Sequence, residues 1–149
     1  LPPEGLAGGE GGRLRLQNRL GAGYLDGRRL KGDTGDFLPT KPSFHLTPAD
    51  APRASPPVEV WLAQLKAVFF VKDLAGGPQP HPHRQEFAPG KPVVGRKVRV
   101  VFRDGELLVG TTQGYDPKRQ GFFVLPADPD TNNERVFVVA GATQQVRFV

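Results

Sequence analysis

The side chains in this sequence whose type and spacing could do chemistry are basic, and they lie in its C-terminal half. Lys97, Arg99 and Arg103 alternate with apolar residues, so the two-residue period of a strand places them on one face. The loop that follows supplies an aromatic ring and two more cations: Tyr115, Lys118 and Arg119. Basic side chains can hold a phosphate backbone, and an exposed aromatic ring can stack on a base. These residues form the candidate nucleic-acid surface.

The sequence predicts no catalytic or metal site. It contains no Ser-His-Asp set and no phosphate-binding glycine loop. His81 and His83 could contact a metal, but only Glu86 lies near them, and an exposed loop is the favoured interpretation. Asp50 and Asp128 each follow a Pro-Ala pair, where a turn role is expected. We therefore expect no catalytic residue, no metal ligand and no cofactor, and a protein that is not an enzyme.

Composition restricts the class of protein further. The 149 residues carry a net charge of +5 spread over both halves, a balance typical of a solvated surface. There is no Cys, no signal segment and no apolar run near the roughly 20 residues that cross a membrane. These features predict a cytoplasmic protein that is not in a membrane. Because the sequence has no Met, we expect it to be processed or part of a longer protein.

The chain contains an internal repeat. Residues Asp26–Val71 align with Asp104–Val149 without a gap, 78 residues apart, and 15 of the 46 positions are identical. Such a match indicates duplication. We predict a flexible lead-in at 1–12, a first repeat at 13–72, a linker rich in Pro, Gly and His at 73–94, and a second repeat at 95–149.

The sequence pattern predicts five short strands in each repeat. In the second repeat, alternation predicts a strand at Lys97–Arg103, and Asp104-Gly105 predicts a two-residue hairpin that puts Arg103 opposite Glu106. Gly110 then breaks the second strand, as a sharp bend in a small barrel requires. The pattern predicts an all-β fold of two tandem five-stranded SH3-like barrels.

The last strand of the first repeat differs from its counterpart. Residues 67–71 are apolar on both faces, so both faces should be covered. Phe69 aligns with Arg147, a position open to water in the second repeat. We therefore predict that Phe69 and Val71 lie at the interface between the repeats.

The outline of Gly95–Asp116 carries a family resemblance. A Gly, an alternating strand, an Asp-Gly hairpin, Gly110 and a Gly-aromatic-Asp ending follow in order. This outline resembles the first motif of the Sm and Sm-like RNA-binding barrels, and the strands on either side of Gly141 resemble the second. The resemblance implies Sm-like barrels and RNA binding. The paired segments of the type Leu65–Asp73 also resemble those of uncharacterised bacterial tandem-repeat proteins, which implies no activity.

The residues by which the Sm family holds a uridine are replaced here. Gln120 stands at the place of the Asn of the first motif, and Ala140 at the place of the Arg before Gly141. The first repeat has Leu38 in place of the Asp and Leu62-Ala63 in place of the Arg-Gly pair. The nucleotide pocket is therefore expected to be missing.

Two functions remain as hypotheses. The first is a non-enzymatic interaction or regulatory module within a larger cytoplasmic protein, with another protein or domain as partner. The alternative is weak, sequence-indifferent binding of single-stranded RNA or DNA. A free edge strand or an exposed apolar patch would favour the first, and clustered cations with exposed aromatics would favour the second. The sequence predicts no oligomeric state.

Overall fold

The computed structural model describes residues 18–49, 56–72, 94–128 and 131–149. The predicted lead-in and all of the predicted linker except Val94 lie outside these residues, as do His81 and His83. Two 3-10 turns, Leu62–Gln64 and Ala140–Ala142, accompany the strands, and no α-helix occurs in the described residues. The strands are β1 (Asn18–Tyr24), β2 (Arg29–Thr34), β3 (Ser43–Pro48), β4 (Val58–Trp61), β5 (Leu65–Val71), β6 (Arg96–Phe102), β7 (Leu107–Thr112), β8 (Gly121–Pro126), β9 (Asn133–Val139) and β10 (Thr143–Phe148).

All ten strands join one open sheet, and every pairing is antiparallel. The order is β10-β6-β7-β8-β9-β5-β1-β2-β3-β4. The prediction of an all-β protein is confirmed, but the described residues form one open sheet and do not show two closed five-stranded barrels. In the described residues β5 does not pair with β4, and β10 does not pair with β9. The physical reason is that β9 occupies the second edge of β5, with Phe69 opposite Val136, so the two halves continue into each other.

The two halves share their local hydrogen bonds at an offset of 78 residues. Each pair of equivalent turns or strand contacts has the same donor and acceptor positions. The matching bonds are Tyr24 N to Arg28 O with Phe102 N to Glu106 O, Ala49 N to Lys31 O with Ala127 N to Val109 O, Leu62 N to Pro42 O with Ala140 N to Gln120 O, and Thr34 Oγ1 to His45 O with Thr112 Oγ1 to Phe123 O. The two halves therefore share the same local backbone arrangement.

The hairpin between β6 and β7 differs from its prediction by one residue. Val101 lies opposite Leu107, and the Phe102 N–H donates to the Glu106 carbonyl. The loop therefore holds three residues and ends on Gly105, whose φ is 93°. A left-handed residue at this place is typical of three-residue hairpins, and glycine adopts it without strain.

Gly32 and Gly110 hold equivalent close approaches in β2 and β7. A Cβ at Gly110 would lie closer than 3.0 Å to the Leu125 carbonyl oxygen, and one at Gly32 would lie equally close to the Thr47 oxygen. Each glycine lets the following strand cross directly over its backbone. The sequence predicts a bend at Gly110, and the close approach is the physical reason for glycine there.

An aromatic cluster joins the halves inside the sheet. The ring of Phe37 lies 5.3 Å from those of Phe44 and Phe70 in its own half. It also lies 5.3 Å from Phe137 and 6.3 Å from Phe123 in the other half. All four contacts are edge-to-face, the geometry that aromatic pairs favour. The hydrophobic core is therefore continuous across the β5·β9 pairing.

Gly110→Ala tests the close approach of β7 and β8. The new methyl must displace a backbone carbonyl, so we expect the free energy of unfolding to fall by more than the strand-propensity range of about 1 kcal/mol. Urea unfolding measures the effect. Gly141→Ala is the matched control, because a Cβ there meets no atom within 4 Å. Equal effects of the two substitutions would contradict the proposed role of Gly110.

Candidate interaction surfaces

Both residues predicted at the interface between the repeats lie in β5. Phe69 is 7% exposed and lies between Gly21 of β1 and Val136 of β9. The guanidinium of Arg29 lies 4.8 Å from the centre of the Phe69 ring. Val71 is half-buried opposite Asn133. The structure thus places both side chains in the strand that pairs with the second half.

Lys66 links the halves by charge. Its ammonium lies 2.7 Å from Asp104 Oδ2, contacts the Glu106 carboxylate, and lies 4.7 Å from the centre of the Phe102 ring. The side-chain hydrogen bond from Lys66 and the Glu106 N–H hold the pKa of Asp104 below its usual value of 3.8. Glu106 therefore pairs with Lys66 across the junction.

Arg103 does not form the predicted pair with Glu106. The hairpin register puts Phe102 rather than Arg103 opposite Glu106, and the Arg103 Nε donates to the Gly141 carbonyl at 2.8 Å.

Gln120, at the place of the uridine-binding Asn, has a structural partner. Its Nε2 donates to the backbone oxygens of Pro39 at 2.5 Å and Lys41 at 2.7 Å. Both acceptors belong to the first half, so the amide connects the two halves. The equivalent position in the first half is Pro42, which has no such donor.

The predicted basic face gains a residue that sequence reasoning did not assign to it. Lys97 and Arg99 are exposed on β6, and the pairing of β10 with β6 puts Arg147 directly opposite Arg99. Neither Arg99 nor Arg147 has an ion pair within the described residues. Like charges directly opposite each other are destabilising. This pair is therefore a place where a bound anion would relieve repulsion.

The structure separates the aromatic member of the predicted surface from the strand cations. Tyr115 is half-buried, and its ring packs edge-to-face against Phe122 at 4.9 Å and Phe148 at 5.2 Å. Strand alternation puts Phe148 and Arg147 on opposite faces. Tyr115 thus lies on the face of the β6–β10 ribbon that Arg99 and Arg147 do not share.

The loop cations are exposed but not all free. Lys118 and Arg119 both point into solvent, and Arg119 Nε lies 3.7 Å from Asp116 Oδ2. The structure therefore brings together Lys97, Arg99 and Arg147, and leaves Tyr115, Lys118 and Arg119 as a separate group.

The two terminal strands of the sheet present open edges. Within the described residues β4 pairs only with β3, and β10 pairs only with β6. Val58 and Trp61 at the ends of β4 are 40% and 44% exposed. An edge strand offers a row of backbone donors and acceptors to another chain. The edge of β4, with these two side chains, is the candidate interaction site.

Polar pairs cover the outer face of β3 and β4. The His45 ring Nδ1 lies 2.7 Å from Asp36 Oδ2, and the Ser43 hydroxyl donates to Glu59 at 2.9 Å. Partial burial raises the pKa of Asp36, but hydrogen bonds from the His45 N–H and ring and from the Thr34 hydroxyl outweigh it, and the pKa lies below its usual value. The face is therefore ordered and polar.

Ser43, His45 and Asp36 do not form a nucleophile with its base. A catalytic serine must hydrogen-bond to the imidazole that takes its proton. The Ser43 hydroxyl donates to Glu59 instead. Among the described residues no group of three His, Asp or Glu side chains could hold a metal ion, and no helix is both long and apolar enough to span a membrane.

In its described residues the chain is thus an all-β sheet with open edges at β4 and β10 and a basic face on β6 and β10. It belongs to a family of unknown function (DUF6982), whose model matches residues 15–149. Comparison with curated proteins gave no match. Comparison with solved structures gave none either.

Phe69→Arg tests the burial of β5 at the junction. An uncompensated buried charge destabilises by about 3 kcal/mol or more, so we expect a loss of that size in the free energy of unfolding. Leu125→Arg, at a side chain that is 47% exposed, is the control and should change stability little. If Phe69→Arg unfolds like the parent protein, the ring is not buried at the junction.

Asp36→Asn tests the polar face by its dependence on pH. The pKa of Asp36 is lowered in the folded protein, so its ionised form stabilises the fold above the unfolded pKa of about 3.8, and this contribution disappears as the pH falls through the folded value. We expect the variant to lose about 1 kcal/mol at neutral pH, the usual net value of a hydrogen bond. Urea unfolding over a pH series should show the difference closing in acid. A difference that is independent of pH would contradict this role.

Proposed function

We propose that this protein is a non-enzymatic interaction module that binds a partner chain along the free edge of β4. The observation that carries the proposal is the open edge itself, flanked by the exposed side chains of Val58 and Trp61. In binding by strand addition, main-chain hydrogen bonds provide affinity and alternate side chains provide specificity. The edge offers both.

The side chains around the edge support a protein partner. Trp is the residue most enriched among those that dominate binding energy, and a half-exposed Trp at an open edge is suited to that role. The pairs His45–Asp36 and Ser43–Glu59 supply a polar rim. A polar rim around an apolar anchor is typical of protein interfaces.

The proposal also covers the fold of each half and the cellular location. Within each half the strands follow the order last, first, second, third, fourth, which agrees with Sm-like small barrels opened at one edge. The absence of Cys agrees with a cytoplasmic location, where the module would belong to a larger protein.

Weak binding of single-stranded nucleic acid is the second candidate. It rests on one observation, the cross-strand pair Arg99–Arg147 beside Lys97. Three cations can neutralise up to three phosphates, but the nearby described rings, Tyr115 and Phe148, lie on the opposite face and cannot stack a base beside them. Binding would therefore be electrostatic and indifferent to sequence.

Affinity capture from the cells that express the protein tests the first candidate. We expect a captured protein that resists nuclease and is lost with Val58→Lys, because an edge lysine opposes strand addition. Leu125→Lys is the matched control, since it adds the same charge to an exposed apolar residue of an internal strand. Capture that both variants leave intact would reject β4 as the site.

Titration of labelled single-stranded RNA at several salt concentrations tests the second candidate. Three phosphate contacts give a log–log salt slope of about −2, because each contributes about −0.7 on a single strand. Arg99→Glu with Arg147→Glu should abolish binding, whereas Lys118→Glu with Arg119→Glu should weaken it less. Failure to bind at low salt would remove this candidate.

A further inference from the structure

We propose that the partner at the edge of β4 is the edge of β10 in a second copy of this chain. The copies would associate head to tail, in the geometry that joins β9 to β5 within one chain. This inference rests on the proposed function, because it names the partner of the same edge.

The strands of the two halves are equivalent in pairs. β4 and β9 occupy equivalent positions 78 residues apart, as Val60 and Val138 show, and so do β5 and β10. Within the chain, β9 of the second half pairs with β5 of the first. The strands equivalent to these two, β4 and β10, remain at opposite ends of the sheet. One chain therefore carries both halves of the contact that it already makes internally.

The internal register fixes the register between copies. Ala67 lies opposite Val138 inside the chain, which puts Gln145 opposite Val60 of the second copy. Phe69 lies opposite Val136, which puts Arg147 opposite Val58 of the second copy. The long stem of Arg147 can then cover the exposed valine while its charge stays in water.

At the proposed contact, one side of the aromatic cluster is kept and the other side is polar. Tyr115 and Phe148 are equivalent to Phe37 and Phe70, and they keep the same ring contact, at 5.2 Å compared with 5.3 Å. The opposing side is changed. The residues equivalent to Phe137 and Phe123 are Glu59 and His45.

Charge complements this change on the β10 side. The guanidinium of Arg96 lies 3.9 Å from the centre of the Phe148 ring. Phe137 contacts Phe37 in the internal junction, so Glu59 of the second copy would approach Tyr115. Arg96 lies nearby, because it stacks on Phe148, and Phe148 contacts Tyr115. A carboxylate meets a cation and a phenol there. The two edges therefore carry opposite charges, Glu59 and Arg96, at positions that would meet.

The contact between copies should be weaker than the internal one. Lys66, which binds Asp104 and Glu106 inside the chain, is replaced by Gln144, and Gln120 is replaced by Pro42. Two of the polar links that connect the halves are therefore missing. The proposed ion pair between copies, Glu59 with Arg96, would be exposed and therefore screened by salt. Association should be reversible and should decrease at high ionic strength, and because the contact is heterologous it leads to rings or open chains.

Sedimentation of the purified protein over a concentration series tests the proposal. We expect mass to rise with concentration, and Glu59→Lys or Arg96→Glu alone to weaken association by about tenfold or more. The double variant should associate again, because the charges are exchanged, and so should a mixture of the two single variants. Glu134→Lys and Arg19→Glu make the same charge changes at exposed positions outside the proposed contact and should associate like the parent.

The outcomes separate this inference from the proposed function. A protein that stays monomeric throughout, or an association that the double variant does not restore, overturns the inference. If the purified protein is monomeric while capture through β4 yields a different protein, the proposed function stands and the second copy is not the partner. If capture through β4 also fails, both are wrong.

Discussion

The rest of the structure depends on the pairing of β5 with β9. Halves of this size have little core of their own, and small units of this kind are marginally stable. The pairing joins their backbones, and the contacts of Phe37 with Phe123 and Phe137 join their cores. The guanidinium of Arg135 lies 4.4 Å from the centre of the Phe70 ring and 4.8 Å from that of Phe123, and so covers the same junction. One continuous sheet is the consequence, and open edges at its two ends follow from it.

Local pattern predicted the strands well, because alternation and turn residues act over a few positions. The strand predicted at Lys97–Arg103 is found at Arg96–Phe102. The Gly-rich stretch 21–23 has little intrinsic strand propensity. It lies inside β1, where a register irregularity with β5 falls between Gly23 and Tyr24. Tertiary pairing on both sides overrides the weak strand propensity of glycine there.

Closure of the sheet could not be predicted, because it depends on which strand fills a distant edge. The apolar run 67–71 indicated that both faces of β5 are covered, but nothing in it indicates β9 as the neighbour. The prediction of the hairpin register was wrong for a related reason. Asp104-Gly105 is compatible with loops of two or three residues, and the three-residue form leaves Glu106 free to reach Lys66 across the junction. That contact involves Lys66, which is distant in the sequence, so the local pattern does not predict it.

The candidate sites also depend on the pairing of distant strands, which the local sequence pattern does not predict. Alternation predicted that Lys97 and Arg99 share a face, but Arg147 joins them only through the pairing of β10 with β6. Tyr115 is predicted as a stacking ring, yet, like the equivalent half-buried Phe37, it packs against neighbouring rings. The edge of β4 was not among the predicted sites. Its signal was present in the repeat, since Trp61 and Glu59 stand where the second half has Val139 and Phe137.

The exchange of backbone amide hydrogens for deuterium tests the central claim most directly. If β5 lies between β1 and β9 in one continuous sheet, amides along β5 and β9 should exchange slowly and at a common rate set by global unfolding. The outward amides of β4 in the monomeric protein should exchange fast. Fast exchange along β9, or separate rates for the two halves with β5 protected on one edge only, would contradict the account.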